Sequence, residues 1–147
     1  MSVGTRRSLR VPADVGRVAE LRALVRKAAL DADAPPECID DVVQAVDEMA
    51  TNVIVHGYAG RPGWLELAIE VGERRLVMTL EDEAPAFDPR PHPEPDLSVP
   101  PERRTPGGMG IHLLRLSVDK IDHRPRPGGG NILTMTRTFD PRPEEDR

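Results

Sequence analysis

Half of the chain's 16 prolines fall between Pro85 and Pro106, mixed with charges in RPHPEPDLSVPPERRTP. Proline has no amide hydrogen and a fixed φ, so this stretch suits neither a helix interior nor a central strand. It divides the regular structure into a larger part before it and a smaller part after it. Long loops inside compact folds serve as lids or binding loops, or are disordered. This one runs into GGMGIHLLRLS, a glycine-rich turn opening a short helix near Gly108 to Ser117.

Ahead of the loop, a short basic strand is expected around Ser8 to Val11. Asp14 then caps a helix to about Leu30, with Val18, Leu21, Val25 and Ala28 at helical spacing. Pro35-Pro36 separates this helix from a second, because proline is tolerated in a first helical turn. The second helix is expected from Pro36 to His56, with an apolar arc of Val42, Val46, Met49 and Val53 and Gly57 closing it. A hairpin follows. Leu65, Leu67, Ile69 and Val71 alternate with polar residues, Gly72-Glu73-Arg74 turns, and Leu76, Met78 and Leu80 return on one face. Alternation puts Asp82 on that same apolar face. Two last strands, Val118 to His123 and Ile132 to Phe139, are joined by glycines 128 to 130, and the tail from 140 to 147 reads as frayed. Hairpins interleaved with helices predict an α+β two-layer sandwich, a mixed or antiparallel sheet covered by helices on one face.

At 147 residues the chain suits a single domain over 1–147, and its net charge of -5 offers no global positive field for direct nucleic-acid binding or an anionic membrane. No apolar run is long enough to span a bilayer and no secretory segment opens the chain, so a cytoplasmic protein is expected. The lone Cys38 excludes an internal disulfide and reads as a small hydrophobe near a helix start. His56, His92, His112 and His123 show no paired metal-ligand spacing.

Residues carrying chemistry gather in three places. On the second helix, residues four apart lie about 40° from each other, so Gln44, Glu48, Asn52 and His56 form a polar stripe beside the apolar arc. Glu48 offers a carboxylate that can orient or deprotonate a hydroxyl, and Asn52 a neutral oxygen for a hard cation such as magnesium. The same stripe suits a solvated helix face. Asp82, on an apolar face at a strand end, needs donors, and the amino group of an adenine is one; it also suits the start of a turn. Gly107, Gly108, Met109 and Gly110 precede a helix whose free N–H groups can bind phosphate, with Arg103 and Arg104 upstream; such a glycine run also serves simply as a turn.

Taken in order, these features resemble the GHKL ATPases, the superfamily of histidine kinases, gyrase and the heat-shock chaperone ATPases, and within it the anti-sigma-factor serine/threonine kinases. E-x-x-x-N-x-x-x-H is matched by Glu48, Asn52 and His56, and F-D-P by Phe87, Asp88 and Pro89. G-G-x-G-I-x-L-x-R is matched by Gly107, Gly108, Gly110, Ile111, Leu113 and Arg115, and the resemblance covers about residues 8 to 139. It implies a Bergerat ATP-binding fold using ATP and Mg2+. Glu48 is then the general base for a substrate serine or threonine, Asn52 the magnesium ligand and Asp82 the adenine-binding aspartate. His56, Ala84, Phe87 and Arg104 would line the nucleotide site, residues 90–106 would be the ATP lid, and Gly107 to Gly110 would touch phosphates. Asn131 stands where relatives often place a threonine near the base, with the Thr134 hydroxyl nearby.

The implied partners are a sigma factor and a STAS-type anti-anti-sigma protein, the chain acting as a homodimer. Family members usually carry glycine two residues after the aspartate, whereas Ala84 and Ala86 stand here. A methyl can crowd a nucleotide or forbid a positive φ, but is harmless in a β or bridge conformation. The competing readings are a non-catalytic interaction module, with or without nucleotide, and a stand-alone ATPase switch. A histidine kinase is disfavoured, because no separate helical phosphoacceptor domain is present.

Overall fold

The computed structural model describes residues 5–91, 97–100, 108–141 and 143. Arg104, Gly107 and most of the expected lid lie outside these residues. The remainder is α+β, built on a five-stranded sheet of order β1-β2-β3-β5-β4 in which every neighbouring pair is antiparallel. The strands are β1 (Thr5–Pro12), β2 (Trp64–Gly72), β3 (Arg75–Asp82), β4 (Lys120–Pro125) and β5 (Asn131–Thr138). The helices are α1 (Val18–Asp31), α2 (Pro36–Asn52) and α3 (Gly108–Ser117).

Period-two alternation builds the core. In register, Leu65 lies opposite Asp82, Leu67 opposite Leu80 and Ile69 opposite Met78; on the far side of β3, Leu80 meets Leu133 and Met78 meets Met135. All these apolar side chains are buried with Leu21, Val25, Val42, Val46, Met49 and Leu114 from the helices. Burying each stabilises the fold by about 1.5–3 kcal/mol relative to leaving it exposed. The opposite face of the sheet carries charges, and the Arg10 guanidinium stacks over the Trp64 ring at 3.9 Å.

Several boundaries differ from the expected ones. β1 begins at Thr5 because β2 pairs with it along its whole length, Thr5 with Val71 through Pro12 with Trp64. Asp14 caps a short 3-10 turn, Val15–Arg17, accepting from the Gly16 amide at 2.9 Å, and α1 starts only after that turn. The last two strands run Lys120–Pro125 and Asn131–Thr138 instead of Val118 to His123 and Ile132 to Phe139, because their pairing continues to Pro125 opposite Asn131 and leaves only 126–130 for the turn, where glycines 128 to 130 take positive φ.

The largest correction concerns α2, which does not run as an α-helix to His56. It ends at Asn52 and continues as a π-helical turn, Val53–Tyr58, closed by Ala59 at φ 51° and Gly60 at φ 85°. Gly57 is therefore not the terminator. It lies inside the turn because a Cβ there would come within 3.0 Å of the Ala84 methyl. The turn is held by buried Tyr58, whose hydroxyl donates to the Trp64 carbonyl at 2.7 Å and accepts from the Glu83 amide at 2.8 Å. Helical widening of this kind is common where a helix meets a functional site. Among the described residues no helix is long and apolar enough to cross a membrane.

Candidate functional site

The end of α2, the π turn, the ends of β3 and β5 and the first turns of α3 surround a pocket of about 350 Å³. Asn52 and His56 reach it from the helix side, Asp82, Asn131 and Leu133 from the sheet, and Ala84 and Phe87 from the loop after β3. Ile111 lines it from α3 and His123 from β4.

Asp82 dominates the floor. It is 1% exposed, and its Oδ1 accepts from the Ala84 amide at 2.9 Å and from Asn131 Nδ2 at 2.9 Å. Among the described residues no donor reaches Oδ2. Burial pushes the Asp82 carboxyl above the usual carboxylate range, while the Asn131 and Ala84 donors pull against that rise. A buried carboxylate oxygen without a donor is costly. An amino group brought by a ligand would satisfy it.

Asn131 is 6% exposed and ties the site together. Besides Asp82, its Nδ2 donates to the Pro85 carbonyl at 3.2 Å and the Ala84 carbonyl at 3.4 Å. Its Oδ1 accepts from the Phe87 amide at 2.8 Å and lies 2.8 Å from His123 Nε2. Thr134 is not part of this arrangement. It lies three residues further along β5, so alternation turns it to the opposite face, where it pairs with Thr79 and Asp122.

Glu48 sits one helical turn before Asn52 and is not among the residues lining the pocket; it faces the start of α3 instead. Gln44 Nε2 donates to its Oε1 at 2.8 Å, and its Oε2 lies against Gly110, where a Cβ would come within 2.7 Å. Partial burial, reinforced by the neighbouring Asp47 charge, raises the Glu48 carboxyl above its ordinary value, with the Gln44 bond opposing. A carboxylate raised in this way is better suited to accept a proton near neutral pH. His56 is exposed at the rim. Gly108 and Met109 begin α3, and Arg115 clasps this helix to the loop by donating to the Pro89 and Arg90 carbonyls at 3.1 and 2.7 Å.

Alanine at 84 and 86 does not close the pocket. Neither residue takes a positive φ, and the buried Ala84 methyl faces the space left open by Gly57. His123 is a polar pocket residue that the motifs do not indicate. Alternation in Lys120–Pro125 does place Ile121 and His123 on the inward face, where His123 lies opposite Leu133.

The site thus joins a buried acceptor at the floor of a pocket to a Glu/Asn helix face on a two-layer α+β fold. The chain belongs to the histidine kinase-like ATPase domain family, whose model matches residues 11–137. It is 31% identical over 125 residues to the anti-sigma F factor of Clostridium acetobutylicum, covering 80% of this chain and 82% of that one. The serine-protein kinase RsbW of Halalkalibacterium halodurans is 30% identical over 103 residues, covering 67% of this chain and 62% of its own. The solved RsbU and RsbW domains of a Mycobacterium tuberculosis protein share the fold, with a TM-score of 0.60 at 19% identity. That match covers 93% of this chain and 33% of that one.

Proposed function

We propose that the chain is an ATP-dependent anti-sigma-factor serine/threonine kinase, which holds a sigma factor and phosphorylates an anti-anti-sigma antagonist. The observation that carries this is Asp82: a buried carboxylate at the floor of the pocket, its Oδ1 held by two protein donors and its Oδ2 by none among the described residues. That arrangement suits the amino group of adenine. Asn52 is the residue to hold Mg2+, which neutralises charge on the phosphates when bound. The first N–H groups of a helix have no partner within it, and those at the start of α3 suit phosphate oxygens.

Phosphoryl transfer asks little covalent chemistry of the protein. The acceptor serine or threonine oxygen bonds to the γ-phosphorus as the bond to the ADP oxygen breaks, and the hydroxyl proton passes to Glu48. Gln44 holds that carboxylate in place. The names of the relatives support the same reading, since they combine anti-sigma factor with serine kinase. The functional unit is taken to be a cytoplasmic homodimer.

The test is transfer of γ-phosphate from ATP to a STAS-type antagonist in the presence of Mg2+, with Glu48→Gln alongside. Transfer that disappears in Glu48→Gln while ATP still binds supports the kinase. ATP binding with no transfer to any antagonist that the chain captures would leave an interaction module instead.

A further inference from the structure

The contacts around Asn131 determine which way its amide points. The Ala84 and Pro85 carbonyls only accept and the Phe87 amide only donates, so Nδ2 must face the carbonyls and Oδ1 must face Phe87. His123 Nε2, 2.8 Å from the same Oδ1, must then carry a proton. The imidazole side chain is 8% exposed and Asn131 6%, so little water competes for these groups. A chain of donors therefore runs from His123 through Asn131 to Asp82 Oδ1, crossing from β4 through β5 to β3.

We propose that His123 and Asn131 are positioning residues that set the base selectivity of the pocket: they hold Asp82 Oδ1 from the sheet side and leave Oδ2 as an acceptor for the group at C6 of a purine, which an amino group there satisfies and an oxo group, itself an acceptor, does not. This rests on reading the pocket as an adenine site. An ionised carboxylate has no proton to offer a 6-oxo group, so the selectivity lasts as long as donors keep Asp82 fixed as an acceptor. Without Nδ2 only the Ala84 amide holds Oδ1, and the buried carboxyl is free to take a proton and turn it toward a 6-oxo ligand. His123 acts one step back. Its Nε2–H and the Phe87 amide together saturate Asn131 Oδ1, so that the amide neither tilts nor turns. A pocket built to pair with one hydrogen-bonding group rejects an analogue lacking it far more strongly than an apolar pocket rejects a change in size.

The experiment is calorimetric titration of the full chain with ATP and with inosine triphosphate, both with Mg2+, for the wild type, Asn131→Leu, His123→Leu and His123→Gln. The wild type should strongly prefer ATP. Both leucine variants should lose about tenfold or more of that preference. His123→Gln retains an amide N–H that can replace the imidazole donor, and should keep most of it. Leucine variants that discriminate as well as the wild type would overturn the proposal, as would a glutamine variant no better than His123→Leu. Failure of the wild type to bind ATP would instead overturn the adenine reading itself. Should the variants not fold, nitrogen-15 NMR of the wild-type imidazole decides the matter. The Nε2-protonated tautomer is expected, and the Nδ1-protonated neutral form would overturn the proposal.

Discussion

Gly110→Ala separates chemistry from folding. A Cβ at this position would lie 2.7 Å from Glu48 Oε2, against 3.4 Å for ordinary contact, so the carboxylate must retreat by about 0.7 Å or more. The clash is with the end of a flexible side chain and not with backbone, so the fold gives way cheaply. Alanine also favours helix over glycine by up to ~1 kcal/mol, and position 110 lies in the first turn of α3. Stability should therefore change by no more than about 1 kcal/mol, or roughly 2–4 °C in Tm. Displacing a catalytic group by about 1 Å costs on the order of 100-fold in rate. The retreat also disturbs the 2.8 Å bond from Gln44 that orients the carboxylate. The assay pairs the rate of γ-phosphate transfer to the antagonist with a calorimetric ATP affinity and a thermal melt. A transfer rate within a few-fold of the wild type would refute the placement of Glu48 as base, and loss of ATP affinity in step with the rate would show Gly110 acting on the nucleotide instead.

Gly130→Ala should behave in the opposite way: its Cβ would lie 1.9 Å from the Asp82 carbonyl oxygen at φ +116°, a backbone clash in a strained region. Destabilisation of about 3 kcal/mol or more is expected, seen as a fall of roughly 6–12 °C in thermal melts. Asp82→Asn keeps an Oδ1 acceptor for the Ala84 and Asn131 donors while removing a buried charge. Because burial raises the Asp82 pKa in the folded state, the stability this group contributes is full in acid and is lost as pH rises through the raised value. Asp82→Asn should thus melt higher than the wild type at neutral pH, lose that advantage in acid, and bind no ATP, as calorimetry would report. Cys38, fully buried and with its thiol pushed up to about 11 chiefly by burial, should resist iodoacetamide at neutral pH until the protein is denatured; mass spectrometry would register modification of the native protein as a contradiction.

The core and the acceptor of the site could be read from alternation alone. Leu76, Met78, Leu80 and Asp82 differ by two residues each, and a strand then has to bring the aspartate to the apolar face. The same parity, applied to Asn131 and Thr134, separates them onto opposite faces, so only Asn131 faces the pocket. The end of α2 was not legible in the same way. Local sequence offers Gly57 as a natural stop, but the chain widens into a π turn because Tyr58 reaches across to Trp64 and Glu83, and because Gly57 makes room for Ala84, twenty-seven residues further on. The space around Ala84 depends on that same long-range fit, which composition does not carry. His123 carries no spacing signal in the sequence, because its part is a single hydrogen bond to a residue on the next strand.

The most direct test of the account is calorimetric titration of the purified chain with ATP, with and without Mg2+, beside an Asn52→Ala variant. Asn52 is half-buried at the pocket wall, so its truncation should leave the fold intact. The account predicts Mg2+-dependent binding that is lost in Asn52→Ala while the thermal melt stays close to that of the wild type; no binding at millimolar ATP, or binding indifferent both to Mg2+ and to Asn52, would contradict it.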